Sequence, residues 1–143
     1  MNTNKILMGG IAGGIAFFLL GWLIYGVLLM DFMTAHPGTA TGVNRAPDQM
    51  VWWALIAGNF AFGFLLACIF SMFANMNNWM DGAKAGAIIG FLNSMAYDFT
   101  SYGVTNLYSR TAIGADIIAT VVMCAIAGAV IATAMNMGKK ASA

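Results

Sequence analysis

Charged residues are scarce in this chain, and glutamate is absent altogether. Of the 143 residues only 8% are charged, while 61% are hydrophobic and the mean hydropathy is +0.81. A water-soluble domain needs a charged surface that faces solvent, and this composition cannot supply one. The net charge of +1 also argues against a nucleic-acid partner, because binding to phosphates needs a basic face.

Histidine, cysteine and proline are also rare, with one, two and two residues. The single histidine, His36, lies outside the apolar runs, so no serine or threonine within them has a base to activate it as a nucleophile. Cys68 and Cys124 lie in separate apolar runs, without the spacing of a zinc, haem or redox motif. We therefore expect no catalytic residues, no metal site and no cofactor, and a protein that is not an enzyme.

Long apolar runs fill most of the chain instead. Each of the four is long enough to cross about 30 Å of hydrocarbon at about 1.5 Å per helical residue. We predict a single domain, 1–143, with spans at about 6–30, 51–74, 83–108 and 112–135. The expected fold class is all-α: an integral membrane four-helix bundle whose first partner is the lipid bilayer.

Basic residues near the ends of spans indicate how a membrane protein is oriented. In the four-span layout the lysines fall on one side and the arginines on the other: Lys5, Lys84, Lys139 and Lys140 against Arg45 and Arg110. This asymmetry predicts that both the N- and the C-terminus are cytoplasmic. The loop 31–50 and the turn 109–111 would then lie outside.

Glycines at four-residue spacing mark the first and third runs. The first contains two overlapping GxxxG patterns within 9–14, and the third contains Gly82, Gly86 and Gly90. Small residues at this spacing let the backbones of two helices approach closely in a membrane. The pattern leaves two uses open, which are packing within the bundle and association into a homo-oligomer or a larger membrane complex.

Polar residues inside the spans are costly in hydrocarbon and therefore point to function. Asp98 lies about 22 Å along the third helix from Ala83, and Asp116 enters the fourth span from the same outer side. Asn59 and Tyr25 reach a similar depth from the second and first spans. We predict that a ligand or an ion is held by some of six residues: Asp98, Asp116, Asn59, Asn93, Tyr97 and Thr100.

Two interpretations of these polar residues remain open. They could form a structural lock, in which Arg110 neutralises a carboxylate or Asp116 favours the start of its helix through the helix dipole. They could instead form a site for a cation, a proton or a small polar ligand. Two carboxylates in one pocket would raise the pKa of one of them, which suits proton handling.

The segment 86–116 resembles small four-span bacterial inner-membrane proteins of unknown function. In that family the third span ends in Tyr-Asp-(Leu/Phe)-Thr-(Asn/Ser), and the fourth begins around Asp-Ile after a short turn. The matching residues here are 97–101 and Asp116-Ile117, and 21–26 resembles a Gly-x-x-Trp/Tyr element of related families. The resemblance implies a multi-pass protein of the bacterial inner membrane and implies no activity.

From these observations we expect a non-enzymatic accessory or oligomer-forming membrane subunit that acts through helix–helix packing. The alternative is a small transporter, channel or ligand-binding membrane protein that uses the polar cluster around Asp98 and Asp116.

Overall fold

The computed structural model describes residues 3–73, 76 and 78–137, and this part of the chain is almost entirely helical. The elements in chain order are α1 (Thr3–Leu23), a π-helical turn (Ile24–Leu28), α2 (Met30–Ala35), a 3-10 turn (Pro47–Gln49), α3 (Trp52–Phe73), α4 (Trp79–Val104) and α5 (Arg110–Met137). Residues 3–73, 76 and 78–137 contain no β-strand, and one isolated bridge joins Pro37 to Tyr108. The prediction of an all-α fold is therefore confirmed.

Three of the described helices are long and apolar enough to cross a membrane. They are Thr3–Leu28, Trp52–Phe73 and Arg110–Met137, with 26, 22 and 28 residues. At about 1.5 Å per residue, each exceeds the roughly 30 Å of a hydrocarbon core. By length and composition, these are the helices of a membrane protein.

Helix α4 has the length of a span but is less apolar than the other three. It contains 26 residues, and polar side chains such as Asn93, Asp98 and Thr100 lower the hydropathy of its second half. It is not among the three helices that length and composition identify as candidate spans. The two ends of α4 also differ from the predicted 83–108.

Hydrogen bonding at its ends explains where α4 begins and stops. The Asn78 side chain accepts hydrogen bonds from the backbone N–H groups of Met80 and Asp81, at 2.8 and 3.0 Å. This N-cap starts the helix at Trp79, four residues before the apolar run. At the other end Thr105 adopts an extended backbone, and its hydroxyl donates to the carbonyl oxygen of Ser101.

The segment that links the first two spans contains more regular structure than the predicted loop 31–50. Helix α2 and the 3-10 turn both fall within it. The first span also ends earlier than residue 30, because its last turn is π-helical and ends at Leu28. Residue 74 of the predicted second span and the orientation-setting Lys139 and Lys140 lie outside the described residues.

The long helices pack in the spatial order α3, α1, α5, α4. Helix α1 contacts α3 on one side and α5 on the other, and α5 makes its largest contact with α4. The core lies among α1, α3 and α5, and its buried residues are Phe17, Leu66, Ala67, Phe70, Cys124, Ala127, Ile131 and Met135. Among the long helices in the described part, α4 has only α5 as a substantial neighbour.

A stripe of residues at four-residue spacing joins α4 to α5. Its buried members are Gly82, Gly86, Gly90, Ser94 and Asp98. A methyl group at Gly86 would collide with the carbonyl oxygen of Cys124, and one at Gly82 would collide with that of Gly128. The absence of side chains therefore lets the two backbones touch, and the same stripe carries Asp98 toward α5.

Candidate functional site

A cluster of four polar residues lies between the π-helical turn, α4 and α5, near the end of the helices that carries the segment 29–51. Tyr25 comes from the π-helical turn, Asp98 from α4, and Asp116 and Thr120 from α5. Asp98 lies six residues before the end of α4 and Asp116 six residues after the start of α5, which places both about 9 Å inside the helix ends. The cluster is therefore inside the helical layer.

Hydrogen bonds connect the members of this cluster. The Thr120 hydroxyl donates to Asp116 Oδ2 at 3.4 Å, and Tyr25 Oη lies 3.2 Å from Thr120 Oγ1. Because a hydroxyl has one proton and Thr120 gives it to Asp116, Tyr25 donates to Thr120. Asp98 continues the glycine stripe of α4 that packs against α5, and its carboxyl group lies close to that of Asp116.

Asp98 is the most deeply buried member of the cluster, with 3% of its surface exposed. Its Oδ2 atom has no hydrogen-bond partner among the described residues. A buried polar atom without a partner typically costs about 1–3 kcal/mol, and more when it is charged. Asp98 therefore differs from an ordinary structural carboxylate, whose oxygens are satisfied by donors.

The segment after α2 is attached to the α4–α5 turn above this cluster. The Ser109 hydroxyl donates to the carbonyl oxygen of His36 at 2.7 Å, and the Ala40 N–H donates to that of Asn106 at 3.1 Å. Gly38 lies so close to the turn that a methyl group there would collide with the backbone of Asn106 and Leu107. The attached segment covers the turn between the two carboxylate-bearing helices.

Tyr108 lies in the same turn, and an isolated β-bridge joins it to Pro37 of the attached segment. Burial raises the pKa of Tyr108 above its ordinary value of 10.0, and the charges of Tyr97, Asp116 and Asp98 raise it further. The turn and the attached segment therefore form one local structure.

The structural lock suggested by the sequence differs from the contacts observed. Arg110 donates from Nε to the Tyr102 hydroxyl at 2.7 Å, and its guanidinium lies 5.9 Å from the centroid of that ring. At the start of α5, Ser109 rather than Asp116 acts as the cap, since its Oγ accepts from the Ala112 N–H at 3.2 Å. Asp116 lies in the second turn of α5, beyond the usual range of a capping carboxylate.

The structure brings two of the six predicted site residues together, Asp98 and Asp116. Asn59 faces elsewhere: its amide donates to the carbonyl oxygen of Leu55, one turn back in α3, at 2.7 Å. Asn93, Tyr97 and Thr100 are exposed on α4. The stripe that meets α5 passes through Ser94 and Asp98, so these three side chains turn away from the carboxyl pair.

The exposed polar residues line a groove of their own. We call it the Asn93 face and define it by Asn93, Ala96, Tyr97 and Thr100. The groove has a volume of about 410 Å³ and continues along Ser101, Val104 and Thr105. Tyr97 is 62% exposed, so a large polar side chain stands free on a helix of a membrane protein.

Sequence reasoning missed the contribution of Thr120, and it named Tyr25 only for its depth. Thr120 follows Asp116 by four residues, a spacing that places both side chains on one face of α5. That spacing was available from the sequence and could have identified Thr120. The π-helical turn that presents Tyr25 has no equivalent signal in the sequence.

No metal-binding cluster of three or more His, Cys, Asp or Glu side chains occurs within residues 3–73, 76 and 78–137. The chain matches no family model, and no curated protein or solved structure is significantly similar to it. The resemblance to four-span inner-membrane proteins therefore stays a prediction.

Proposed function

We propose that this chain is a non-enzymatic accessory subunit of the bacterial inner membrane, which associates with a second copy of itself through the Asn93 face. The observation that supports this role is the exposure of Asn93, Tyr97 and Thr100 on a helix with one substantial neighbour in the described part of the chain. The resemblance found in the sequence supports the inner-membrane location.

The cost of exposed polar groups in hydrocarbon supports a protein partner for this face. Lipid chains offer no hydrogen bonds, and a polar group without a partner there is expensive. Contacts between polar side chains of neighbouring membrane helices are typically worth about 0.6–2 kcal/mol each. We expect Asn93, Tyr97 and Thr100 to make such contacts with another chain, because α5 covers a different side of α4.

A second copy fits the chemistry of this face. Asn93 carries both a donor and an acceptor, and the hydroxyls of Tyr97 and Thr100 also act as both. A surface of this kind is complementary to itself across a two-fold axis, which is the commonest symmetry of homodimers. Ala96 lies at the centre of the face and is small enough to permit close approach of two α4 helices.

Cysteine cross-linking in native membranes tests this association. In a variant whose Cys68 and Cys124 are replaced by alanine, A96C is expected to form disulfide-linked dimers under mild oxidation. The matched control is L19C, an exposed position on α1 that lies 16 residues from the start of its helix, against 17 for Ala96. L19C should remain monomeric, because α1 is not part of the proposed interface.

The native mass of the wild-type protein in a mild detergent provides an independent measurement. We expect the mass of a dimer, twice 15.1 kDa plus bound detergent. A strictly monomeric mass, together with equal cross-linking of A96C and L19C, would contradict the proposed function.

The proposed architecture has four spans, with α4 as the fourth crossing and both termini in the cytoplasm. Its 26 residues and its packing along α5 support this arrangement. Helix α4 would expose its polar face to lipid in a monomer, and the second copy would shield it. The α4–α5 turn would then lie outside, with the segment 29–51.

Accessibility of single cysteines tests this topology. In the same cysteine-free background, N106C should react with a membrane-impermeant maleimide in intact spheroplasts. M80C, in the first turn of α4, should react only after the membrane is permeabilised. If both positions react from the same side, α4 does not cross the membrane.

A second candidate function is ligand binding, as part of a small transporter, channel or ligand-binding protein. The observation that favours it is the buried Asp98 Oδ2 atom without a hydrogen-bond partner. Asp116 lies close to Asp98, and Thr120 and Tyr25 extend the cluster from Asp116 with further polar atoms. The predicted residues Asn59, Asn93, Tyr97 and Thr100 do not contribute to it.

A further inference from the structure

The carboxyl pair, in which Asp98 is buried and Asp116 is partly buried, lacks the compensation that a buried carboxylate normally has. Asp98 is almost fully buried with one oxygen unpartnered, and its neighbour is a second carboxyl group rather than a base. Buried charges in proteins are paired or coordinate ions, because removal from water is otherwise too costly. Arg110, the nearest arginine in sequence, is bonded to Tyr102.

The polar atoms that the cluster provides are all oxygens. Asp98 and Asp116 provide carboxyl oxygens, and Tyr25 and Thr120 provide hydroxyls. Oxygen ligands of this kind suit hard cations, whereas softer transition metals favour nitrogen and sulfur. Cys124 lies one turn beyond Thr120 but packs against Gly90, away from the carboxyl pair.

The number and charge of these ligands favour a monovalent ion. Two neighbouring carboxyl groups repel each other when both are ionised, so we expect the pair to hold one proton and to carry a single net negative charge. Calcium takes about six to eight oxygen ligands, and magnesium retains several waters. One Asp116 oxygen is already bonded to Thr120, and Asp98, which is 3% exposed, has little contact with the water that a hydrated ion would retain.

We infer that Asp98 and Asp116, assisted by the hydroxyls of Tyr25 and Thr120, bind a monovalent alkali cation of the size of sodium. The ion would contact Asp98 Oδ2 and replace the missing donor. The π-helical turn at Ile24–Leu28 contributes by directing Tyr25 at α5, and π-helical turns occur frequently at functional sites. This inference rests on the second candidate function and supplies the chemical class of its ligand.

The test measures thermal unfolding of the detergent-solubilised full chain at constant ionic strength, with sodium chloride replacing choline chloride. A ligand that binds only the folded state raises the Tm as its concentration passes the Kd. We expect the wild-type Tm to rise with sodium. In D98N the rise should be absent or need at least about tenfold more sodium, because a charged ligand is lost.

The matched control is D48N, which removes the same charge from an exposed turn. Its response to sodium should equal that of the wild type. An unchanged response in D98N would overturn the inference, because the rise would then come from a general effect of sodium. A rise that calcium or magnesium produces and sodium does not would also overturn it.

If D98N does not fold, equilibrium dialysis of the wild-type protein against radioactive sodium tests directly whether the protein binds this ion. We expect one saturable site per chain, from which unlabelled sodium displaces the label and choline does not. Absence of saturable binding would overturn the inference. The dialysis result does not depend on the oligomeric state. A protein with a monomeric native mass and one sodium site would contradict the proposed subunit function and leave the sodium site in place.

Discussion

Replacement of Phe70 by alanine is expected to lower the free energy of unfolding by about 2–3 kcal/mol. Phe70 is 1% exposed and belongs to the core that α1, α3 and α5 share. The same substitution costs about 3–5 kcal/mol in water-soluble cores, where both lost burial and the cavity contribute. Lipid chains are as apolar as the core, so in a membrane mainly the cavity contribution remains.

Titration of the folded protein with sodium dodecyl sulfate, followed by tryptophan fluorescence, measures this loss. The matched control is F73A, three residues further along the same helix, where the side chain is 80% exposed. It should change the free energy of unfolding by less than about 0.5 kcal/mol, as surface substitutions usually do. Equal losses for F70A and F73A would show that α3 does not pack on α1 and α5 as described.

The apolar runs predicted the helices because long hydrophobic stretches have few other structures in a bilayer. The positions of the helix ends were harder to predict from the sequence. Hydropathy placed the start of the third run at residue 83, but the Asn78 side chain caps the helix and starts it at Trp79. Capping is a local polar signal, and averaging over an apolar window conceals it.

Helix α4 also shows what a sequence pattern does not determine. Gly86, Gly90, Asn93 and Tyr97 follow the i, i+4, i+7, i+11 spacing that is typical of one continuous helical face. In the structure the contact with α5 follows a strict four-residue spacing and passes through Ser94 and Asp98 instead. Both stripes contain the same glycines, and only the crossing angle of the two helices selects between them.

The candidate site was predictable to the extent that depth along the helix determines it. Asp98 and Asp116 were placed at similar depth by counting residues, and the structure brings them together. Asn59 was placed by the same argument, yet its amide bonds to Leu55 within α3. Counting residues gives the position of a side chain along the helix axis, whereas its direction around the helix depends on which neighbours pack there.

The exposed and the buried polar groups of α4 support two separate functions for this helix, which are association and ion binding. Asn93, Tyr97 and Thr100 face outward, where a second chain could satisfy them, and Asp98 faces α5. Association would use the side of α4 that carries Tyr97, and ion binding would use the neighbouring side that carries Asp98. A movement of α4 at a dimer interface would therefore also change the position of Asp98 relative to Asp116.

Replacement of Gly86 by leucine is expected to separate α4 from α5 and to lower the free energy of unfolding by about 3 kcal/mol. A side chain at this position would meet the carbonyl oxygen of Cys124, which belongs to the backbone and cannot rotate away. The two helices must therefore move apart over their length. Asp98 lies 12 residues further along α4, about 18 Å away, and should lose its contact with Asp116.

Detergent titration measures the loss of stability, and the Tm increase with sodium reports on the carboxyl pair. The matched control is G103L on the same helix, where a methyl group would meet nothing within 4 Å. Leucine has a higher helix propensity than glycine, so propensity favours both variants and cannot explain a loss of stability in G86L. If G86L were as stable as G103L and kept the sodium response, the close α4–α5 approach that brings Asp98 to Asp116 would be wrong.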